Sequence, residues 1–239
     1  ITARGADIRF GALVDYIVEG TGGVIIGAGE ERWEVARLVV CGGLQSDRLA
    51  RIAGIDIDFK IVPFRGEYFR LPASKNSIVR HHIYPAPNPE LPFLGIHLTR
   101  LIDGGVTVGP NAVIGLSREG YSRLSTNIRY LASFLSFPGF WRLVAANVDH
   151  ALHELQSSLF VTNYLDECRK YCRELALSDL LPHRAGIRAQ VVDSRGKAVH
   201  DFLFRQTDRM LHVCNAPSPA ATSALPIADM IVSRLFRQS

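Results

Sequence analysis

Hydrophobic and polar positions alternate over the first part of this chain, change to a helical period in the middle, and alternate again near the end. Asp7 to Val18 alternates, Gly20-Thr21-Gly22-Gly23 interrupts it, and Val24–Ile26 and Trp33–Val40 resume it, which predicts three strands of a meander. The third strand ends apolar and passes through Cys41-Gly42-Gly43 into a short helix near Ser46-Asp47. A buried strand that runs through glycines into a helix has the layout of a nucleotide-contacting turn. Phe59 to Leu71 predicts a further strand, broken at Pro63. Prolines 72, 85, 87, 89 and 92 mark a loop-rich stretch. Phe93–Leu101 and Val106–Val108 flank Asp103-Gly104-Gly105 and predict a hairpin. About Thr126 to Leu180 is helical in character, punctuated by Pro138-Gly139, with Leu152, Leu155 and Leu159 at helical spacing. Strands return at Ile187–Val192, Phe202–Arg205 and Met210–Val213. Ala216-Pro217-Ser218-Pro219 then predicts the start of a final helix reaching about Phe236.

Composition narrows the classes. The chain has 239 residues, 47% hydrophobic and 21% charged, which is ordinary globular material and excludes disorder, collagen and coiled coil. That length allows one or two domains. The net charge of +4 comes mostly from scattered arginines, with no basic cluster, so a nucleic-acid partner is not expected. No apolar run approaches the roughly 20 residues of a membrane helix, and no segment stands out as an amphipathic membrane anchor. Cys41, Cys168, Cys172 and Cys214 lack a zinc-like spacing and read as buried free thiols of a reducing compartment.

Several familiar chemistries are missing. There is no GxGxxG after a strand, P-loop, GxSxG elbow, HExxH or EF-hand. His150 and His153 lie three apart beside Asp149 and Glu154, but without a third ligand they read as a solvated helix face, and no metal is expected. Ser218 lacks the surroundings of a nucleophile. Four segments do carry polar groups at strand or helix ends. Pro63–Tyr68 places Gly66 inside a strand, where a backbone or ligand approaches closely. His97 and Thr99 share one strand face. Ala185–Arg188 brings a lone arginine into an apolar strand. His212–Pro219 delivers a strand into a helix N-terminus suited to an anion. Each alone reads as structural; together they suggest a pocket for a small carboxylate beside a polar cofactor.

The strings Leu38–Ala50, Val62–Tyr68, Phe93–Arg100, Gly104–Ala112, Ala185–Gln190 and Leu211–Thr222 resemble the L-2-hydroxyglutarate oxidase/dehydrogenase family, part of the FAD-dependent D-amino-acid-oxidase-like group. They occur in order over nearly the whole chain. The resemblance implies the C-terminal part of such a protein, since the family's N-terminal GxGxxG region has no counterpart here. The implied fold is of mixed α+β and α/β character. Residues 1–57 would be the remnant of a Rossmann-like FAD-binding domain. Residues 58–205 would be a substrate domain with a mixed or antiparallel sheet and a helical insert at about 126–181. Residues 206–239 would return to the FAD domain. The implied reaction is oxidation of L-2-hydroxyglutarate to 2-oxoglutarate by hydride transfer to FAD, with a quinone or oxygen as acceptor. The implied location is cytoplasmic or peripheral to the inner membrane.

Matched residue by residue, Gly42 and Gly43 correspond to the turn beside the FAD pyrophosphate. Asn215, Ala216, Pro217 and Ser218 correspond to the flavin edge, with the last helix pointing its positive end there. Arg188 corresponds to the arginine that pairs with the substrate carboxylate. Chemistry then selects His97 as general base, because a neutral imidazole can take a hydroxyl proton near pH 7; His81 or His82 is the next choice. Tyr68, Thr99 and Asn111 would orient the substrate, and Arg65 and Arg118 would meet its second carboxylate. Two alternatives stand beside this reading: a chain that is catalytically silent alone and binds no cofactor, and a flavoenzyme acting on an amine. If Leu38–Val40 has no neighbour in its sheet, the bare edge also favours self-association.

Overall fold

The computed structural model describes residues 2–86, 95–122 and 125–236, except the side chains of His150 and His153. Its elements begin with β1 (Tyr16–Glu19), β2 (Val24–Ala28), β3 (Glu31–Val35), β4 (Leu38–Val40), α1 (Ser46–Ile52) and β5 (Phe59–Arg70). Next come β6 (His97–Arg100), β7 (Val106–Gly109), β8 (Val113–Ile114) and four helices, α2 (Ile128–Leu135), α3 (Pro138–Ala146), α4 (Val148–Leu159) and α5 (Val161–Arg169). The chain closes with β9 (Leu181–Asp193), β10 (Leu203–Gln206), β11 (Met210–Asn215) and α6 (Ala224–Phe236). Two units result, Ile1–Asp58 with Val199–Ser239, and Phe59–Ala198. Among the described residues no helix is long and apolar enough to cross a membrane. The mixed helix-and-sheet class expected from the sequence is the one observed.

In the first unit, β1, β2 and β3 form the expected antiparallel meander. Ile17 and Val24 pack there with Met210. The run Trp33–Val40 is two strands rather than one. At Ala36-Arg37 the chain leaves the meander and β4 joins a second sheet of order β10-β11-β4. Arg209 holds the crossing: its backbone N–H donates to the Glu19 carboxylate at 2.6 Å, and its guanidinium donates to the Thr21 carbonyl at 2.6 Å. β4 pairs in parallel with β11, Leu38 opposite Met210 and Val40 opposite His212. Leu38–Val40 therefore has a neighbour, contrary to the expectation, because β11 returns beside it. Residues 199–205, grouped above with the substrate portion, pack in this unit because β10 pairs with β11. Cys168 and Cys214 are buried free thiols as expected, but Cys41 is exposed.

The final helix starts late. Residues 216–223 are turns, and α6 begins at Ala224, not near Pro217. Pro217 and Pro219 supply no N–H, and each proline pushes the residue before it out of the α region, so no helix can nucleate across them. Pro226 is tolerated because it falls in the first turn, where its missing N–H has no partner to lose.

In the second unit, β5 is flanked by β9 on one edge and by β7 and β8 on the other, and β6 extends β7. Pro63 does not break β5. Its carbonyl accepts from the Gly115 N–H at 2.8 Å on the β8 side, the side its missing N–H would have faced, so no β9 bond is lost. The register shift lies instead between Gly66 and Tyr68, where β9 carries the extra residue. α2 and α3 cover Val62 and Val192 through Tyr130, Phe134 and Phe140. α5 covers Phe69, Leu98 and Val108 through Tyr164 and Leu165. The Asn127 side chain caps α2 by accepting from the Tyr130 N–H at 3.0 Å. Pro138 opens α3 at a position that suits it. The described part of the Phe93–Leu101 strand is β6; Phe93 and Leu94 lie outside the described residues, as does the loop from Pro87 to Pro92.

One buried group links the first unit to pH. His212, in the middle strand of its sheet, is buried, and neither ring nitrogen has a hydrogen-bond partner. Burial pulls its pKa down to about 4, with Glu19 opposing. The folded value lies below the ordinary 6.5, so the unfolded chain takes the proton first as pH falls. The stabilising effect of a neutral His212 is complete above about pH 6.5 and drains away down to about pH 4, amounting to up to about 3 kcal/mol. Denaturant unfolding at pH 7 and pH 4.5 should show this loss, and His212→Leu should flatten it. Equal pH slopes in the two proteins would mean that another group is responsible.

Candidate active site

The β5–β9 register decides which side chains share a face. Val62 lies opposite Gln190, Phe64 opposite Arg188, and Arg65 opposite Ile187. Directly opposed residues point the same way and successive residues point opposite ways. Even-numbered residues of β5 therefore form one face together with Arg188 and Gln190. Tyr68 is on that face, because the extra residue at the register shift belongs to β9. Gly186 lies between them, and a Cβ there would stand 3.6 Å from the Tyr68 ring. Arg70 pairs with Thr107, Thr107 with Thr99, and Gly109 with His97, which extends the same face across β7 to β6. The opposite face carries Phe69, Val108 and Leu98, all buried under α5.

The fold thus gathers Arg188, Tyr68, His97 and Thr99 from three strands onto one sheet face. By strand spacing and rise, the backbones of Arg188 and His97 stand roughly 20 Å apart with Tyr68 between them. His97 is half-buried, and burial holds its pKa below the ordinary value. Its Nε2 is buried without a hydrogen-bond partner, and its ring meets Tyr84 edge-on at 5.8 Å. Burial raises the Tyr68 pKa, which keeps its phenol protonated. Arg188 is exposed.

Arg65, Asn111 and Arg118 are engaged elsewhere. Arg65 faces away from Arg188 and donates to Glu67 at 2.7 Å, both side chains being largely buried. Asn111 accepts from the Glu67 N–H at 2.8 Å and donates to its carboxylate at 3.1 Å. The Tyr164 hydroxyl bridges the carbonyls of Glu67 and Val108 at 3.3 and 3.1 Å. Gly66 makes this possible: a Cβ there would come within 2.5 Å of Pro110. The close approach expected at Gly66 is thus a backbone one, from the Pro110-Asn111 loop. Arg118 is buried with its guanidinium over the Tyr130 ring at 4.7 Å. The sequence reading passed over Glu67. The signal was available, since an acid two residues from an arginine in an apolar strand shares its face and neutralises it.

The first unit holds the residues matched to the cofactor. Because β4 and β11 are parallel, Cys41-Gly42-Gly43 and Asn215–Ser218 leave the same end of one sheet. Ligands of open sheets with parallel strands bind outside such carboxyl ends. Ser46 joins the two segments by donating to the Cys214 carbonyl at 3.0 Å. Gly43 has φ +50°, and the space where a Cβ would stand is open, so its backbone can be approached closely. Gly42 is packed, since a Cβ there would strike Leu49. Asn215 donates to the carbonyls of Asp201 and Val199 at 2.7 and 3.3 Å. These strand ends fit a nucleotide cofactor through bare backbone. The helix N-terminus expected at Pro217 is absent, so no helix dipole acts at Ala216–Ser218.

Other sequence candidates lie apart. His81, His82 and Ser218 are exposed on turns and loops. The side chains of His150 and His153 are outside the described residues, and no group able to hold a metal occurs among the described ones.

The relatives share one name, and the solved structures share the fold. The chain is 47% identical over 234 residues to the L-2-hydroxyglutarate dehydrogenase of Escherichia coli K12, covering 98% of this chain and 56% of that protein. It is 42% identical to the mitochondrial L-2-hydroxyglutarate dehydrogenase of Caenorhabditis elegans, covering 86% and 49%. The chain spans about half the length of these relatives. Among solved structures, FAD-bound L-alpha-glycerophosphate oxidase from Mycoplasma pneumoniae superposes with a TM-score of 0.61 at 19% identity, over 94% of this chain and 50% of that one. The amino acid oxidase NikD of nikkomycin biosynthesis gives 0.58 at 13%, over 100% and 54%. Residues 1–234 match the family of FAD-dependent oxidoreductases known as DAO, and the chain belongs to that family.

Proposed function

We propose that this chain provides the substrate-binding portion, and part of the cofactor-binding portion, of an FAD-dependent oxidation of L-2-hydroxyglutarate to 2-oxoglutarate. The observation that carries this reading is the sheet face with Arg188 at one end, Tyr68 in the middle and the half-buried His97 at the other. The names of the bacterial and mitochondrial relatives support the diacid substrate. Arg188 donates the two parallel bonds of its fork to a carboxylate. Tyr68 and Thr99 orient the chain of the diacid. His97 accepts the 2-hydroxyl proton at its unpartnered Nε2 as the C2–H bond breaks and the C2–O double bond forms. FAD, when bound at Gly42, Gly43 and the Asn215–Ser218 segment, supplies the acceptor for the electron pair that leaves C2. A quinone or oxygen takes those electrons onward, in the cytoplasm or at the face of the inner membrane.

The lowered pKa of His97 has a definite sign: the imidazole stays neutral, and able to accept a proton, below pH 6.5. An NMR titration should place its midpoint under that value; a midpoint above it removes His97 as the base.

Calorimetric titration with L-2-hydroxyglutarate should show Arg188→Ala weakening binding at least tenfold, about 1.4 kcal/mol. Arg65→Ala should instead lower the unfolding temperature, because it leaves Glu67 buried and unpaired, and keep affinity within about twofold. An Arg188→Ala chain that binds as tightly as the parent would sink the substrate assignment. A flavin spectrum retained by the purified chain through gel filtration supports the cofactor assignment. A chain that remains colourless after incubation with FAD is the silent one.

A further inference from the structure

The register shift between β5 and β9 brings a further nitrogen donor to the sheet face of Arg188 and His97. His183 precedes Arg188 by five residues, and strict alternation along β9 would put the two on opposite sides of the sheet. The extra residue reverses this. Gly66 pairs with Gly186 and Tyr68 with His183, so Arg184 and Ala185 together stand opposite Glu67. His183 therefore points to the Tyr68 side, as Arg188 and His97 do. Arg184 goes the other way. Its guanidinium lies over the Tyr121 ring at 4.9 Å, and Arg65, also on that side, donates to the Tyr121 carbonyl at 3.3 Å.

His183 stands directly opposite Tyr68, with the two backbones about 5 Å apart. On the other side of Tyr68 is Gly109, where a Cβ would come within 3.0 Å of the Tyr68 ring, and Gly109 pairs with His97. His183, Tyr68 and His97 thus form one row across the sheet, roughly 14 Å from end to end by strand spacing. Arg188 stands off that row, roughly 13 Å along β9 from His183. His183 is exposed and makes no hydrogen bond or ion pair among the described residues. Arg70 shares the face, but it is held by Asp103 at 2.6 Å.

We propose that His183 donates to the distal carboxylate of the substrate and so selects a diacid over a monoacid. The inference rests on the reading above, in which Arg188 takes the carboxylate next to C2 and His97 the 2-hydroxyl. A carboxylate leaves water only for donors that replace it. Arg65 and Arg118, expected at the second carboxylate from the sequence, are committed to Glu67 and to Tyr130. His183 supplies an imidazole N–H at a third point of the same face. A monoacid of the same chain length makes the Arg188 and His97 contacts and lacks this one.

Calorimetric titration of the whole chain with L-2-hydroxyglutarate, and with L-2-hydroxyvalerate, which has the same carbon chain without the second carboxylate, provides the test. The parent should bind the diacid at least about fivefold tighter than the monoacid. His183→Ala should weaken the diacid at least about fivefold and leave the monoacid within about twofold. Its thermal unfolding should stay that of the parent, because the side chain is exposed. Arg184→Ala removes a full charge one residue away but on the other face, and should leave the diacid within about twofold. Arg188→Ala should weaken both ligands. A His183→Ala chain that keeps the parent's preference for the diacid overturns the proposal and leaves the oxidation reading standing. So does an equal loss of both ligands in that variant, a parent that binds the two equally, or a loss of diacid in Arg184→Ala as large as in His183→Ala. A parent that binds neither ligand overturns the oxidation reading and this inference with it.

Discussion

The ladder between β5 and β9 is the constraint on which the second unit depends. Each pair in it commits two side chains to one face, and a slip by one residue would exchange the faces. The pairing of Phe64 with Arg188 sends Arg188 and Arg65 to opposite sides. Charge alone makes these two arginines equivalent; position in the ladder puts one on the Tyr68 face and makes the other a partner of Glu67. The extra residue in β9 at the register shift leaves β5 regular, so Tyr68 keeps the orientation of Phe64. β7 and β6 then inherit the alternation and bring Thr99 and His97 to the Tyr68 side.

A second feature supports this face from beneath. The Glu67 carboxylate, held by Arg65 and Asn111, ties β5 to the segment after β7, and Tyr164 from α5 ties in the carbonyls of Glu67 and Val108. Buried charges are tolerated only when paired and hydrogen-bonded, and here the pairing ties β5 to the loop after β7, with α5 bonded to both strands. Removing either charge would leave the other stranded under α5, so the network's effect on the open face is one of alignment. Gly66 and Gly109 permit it: a side chain at Gly66 would strike Pro110, and one at Gly109 would strike the Glu67 carbonyl and the Tyr164 hydroxyl.

Much of this was legible in the residues. The meander, the Asp103-Gly104-Gly105 hairpin, the helical block and the closing strands follow from periodicity and turn chemistry, because each signal is local. The strings around Gly42, His97, Arg188 and Asn215 carried the family resemblance, and the match over residues 1–234 agrees with it. The places where the local reading failed share a cause. Pro63 sits inside a strand because its missing N–H faces the short β8, which could not be known before β8 was placed. Trp33–Val40 reads as one apolar run, yet its two halves belong to different sheets. The last helix starts at Ala224 because two prolines deny it an earlier nucleus, and with it goes the dipole that the sequence assigned to Pro217.

The sequence by itself determined the family, the order of the elements and the residue types that could do the chemistry, since these rest on neighbours along the chain. Only the tertiary structure decided which of those residues meet. Arg65, Asn111 and Arg118 stood beside Arg188 and Tyr68 as candidates; the strand register turns Arg65 to Glu67, Asn111 also binds Glu67, and Arg118 lies over Tyr130. The leucines of α4 show helical spacing in the sequence, and the fold makes Leu152 and Leu155 part of the lining of an open pocket. Period tells which residues of a helix share a face, but the direction that face takes is set by packing against distant segments, and no local pattern encodes it.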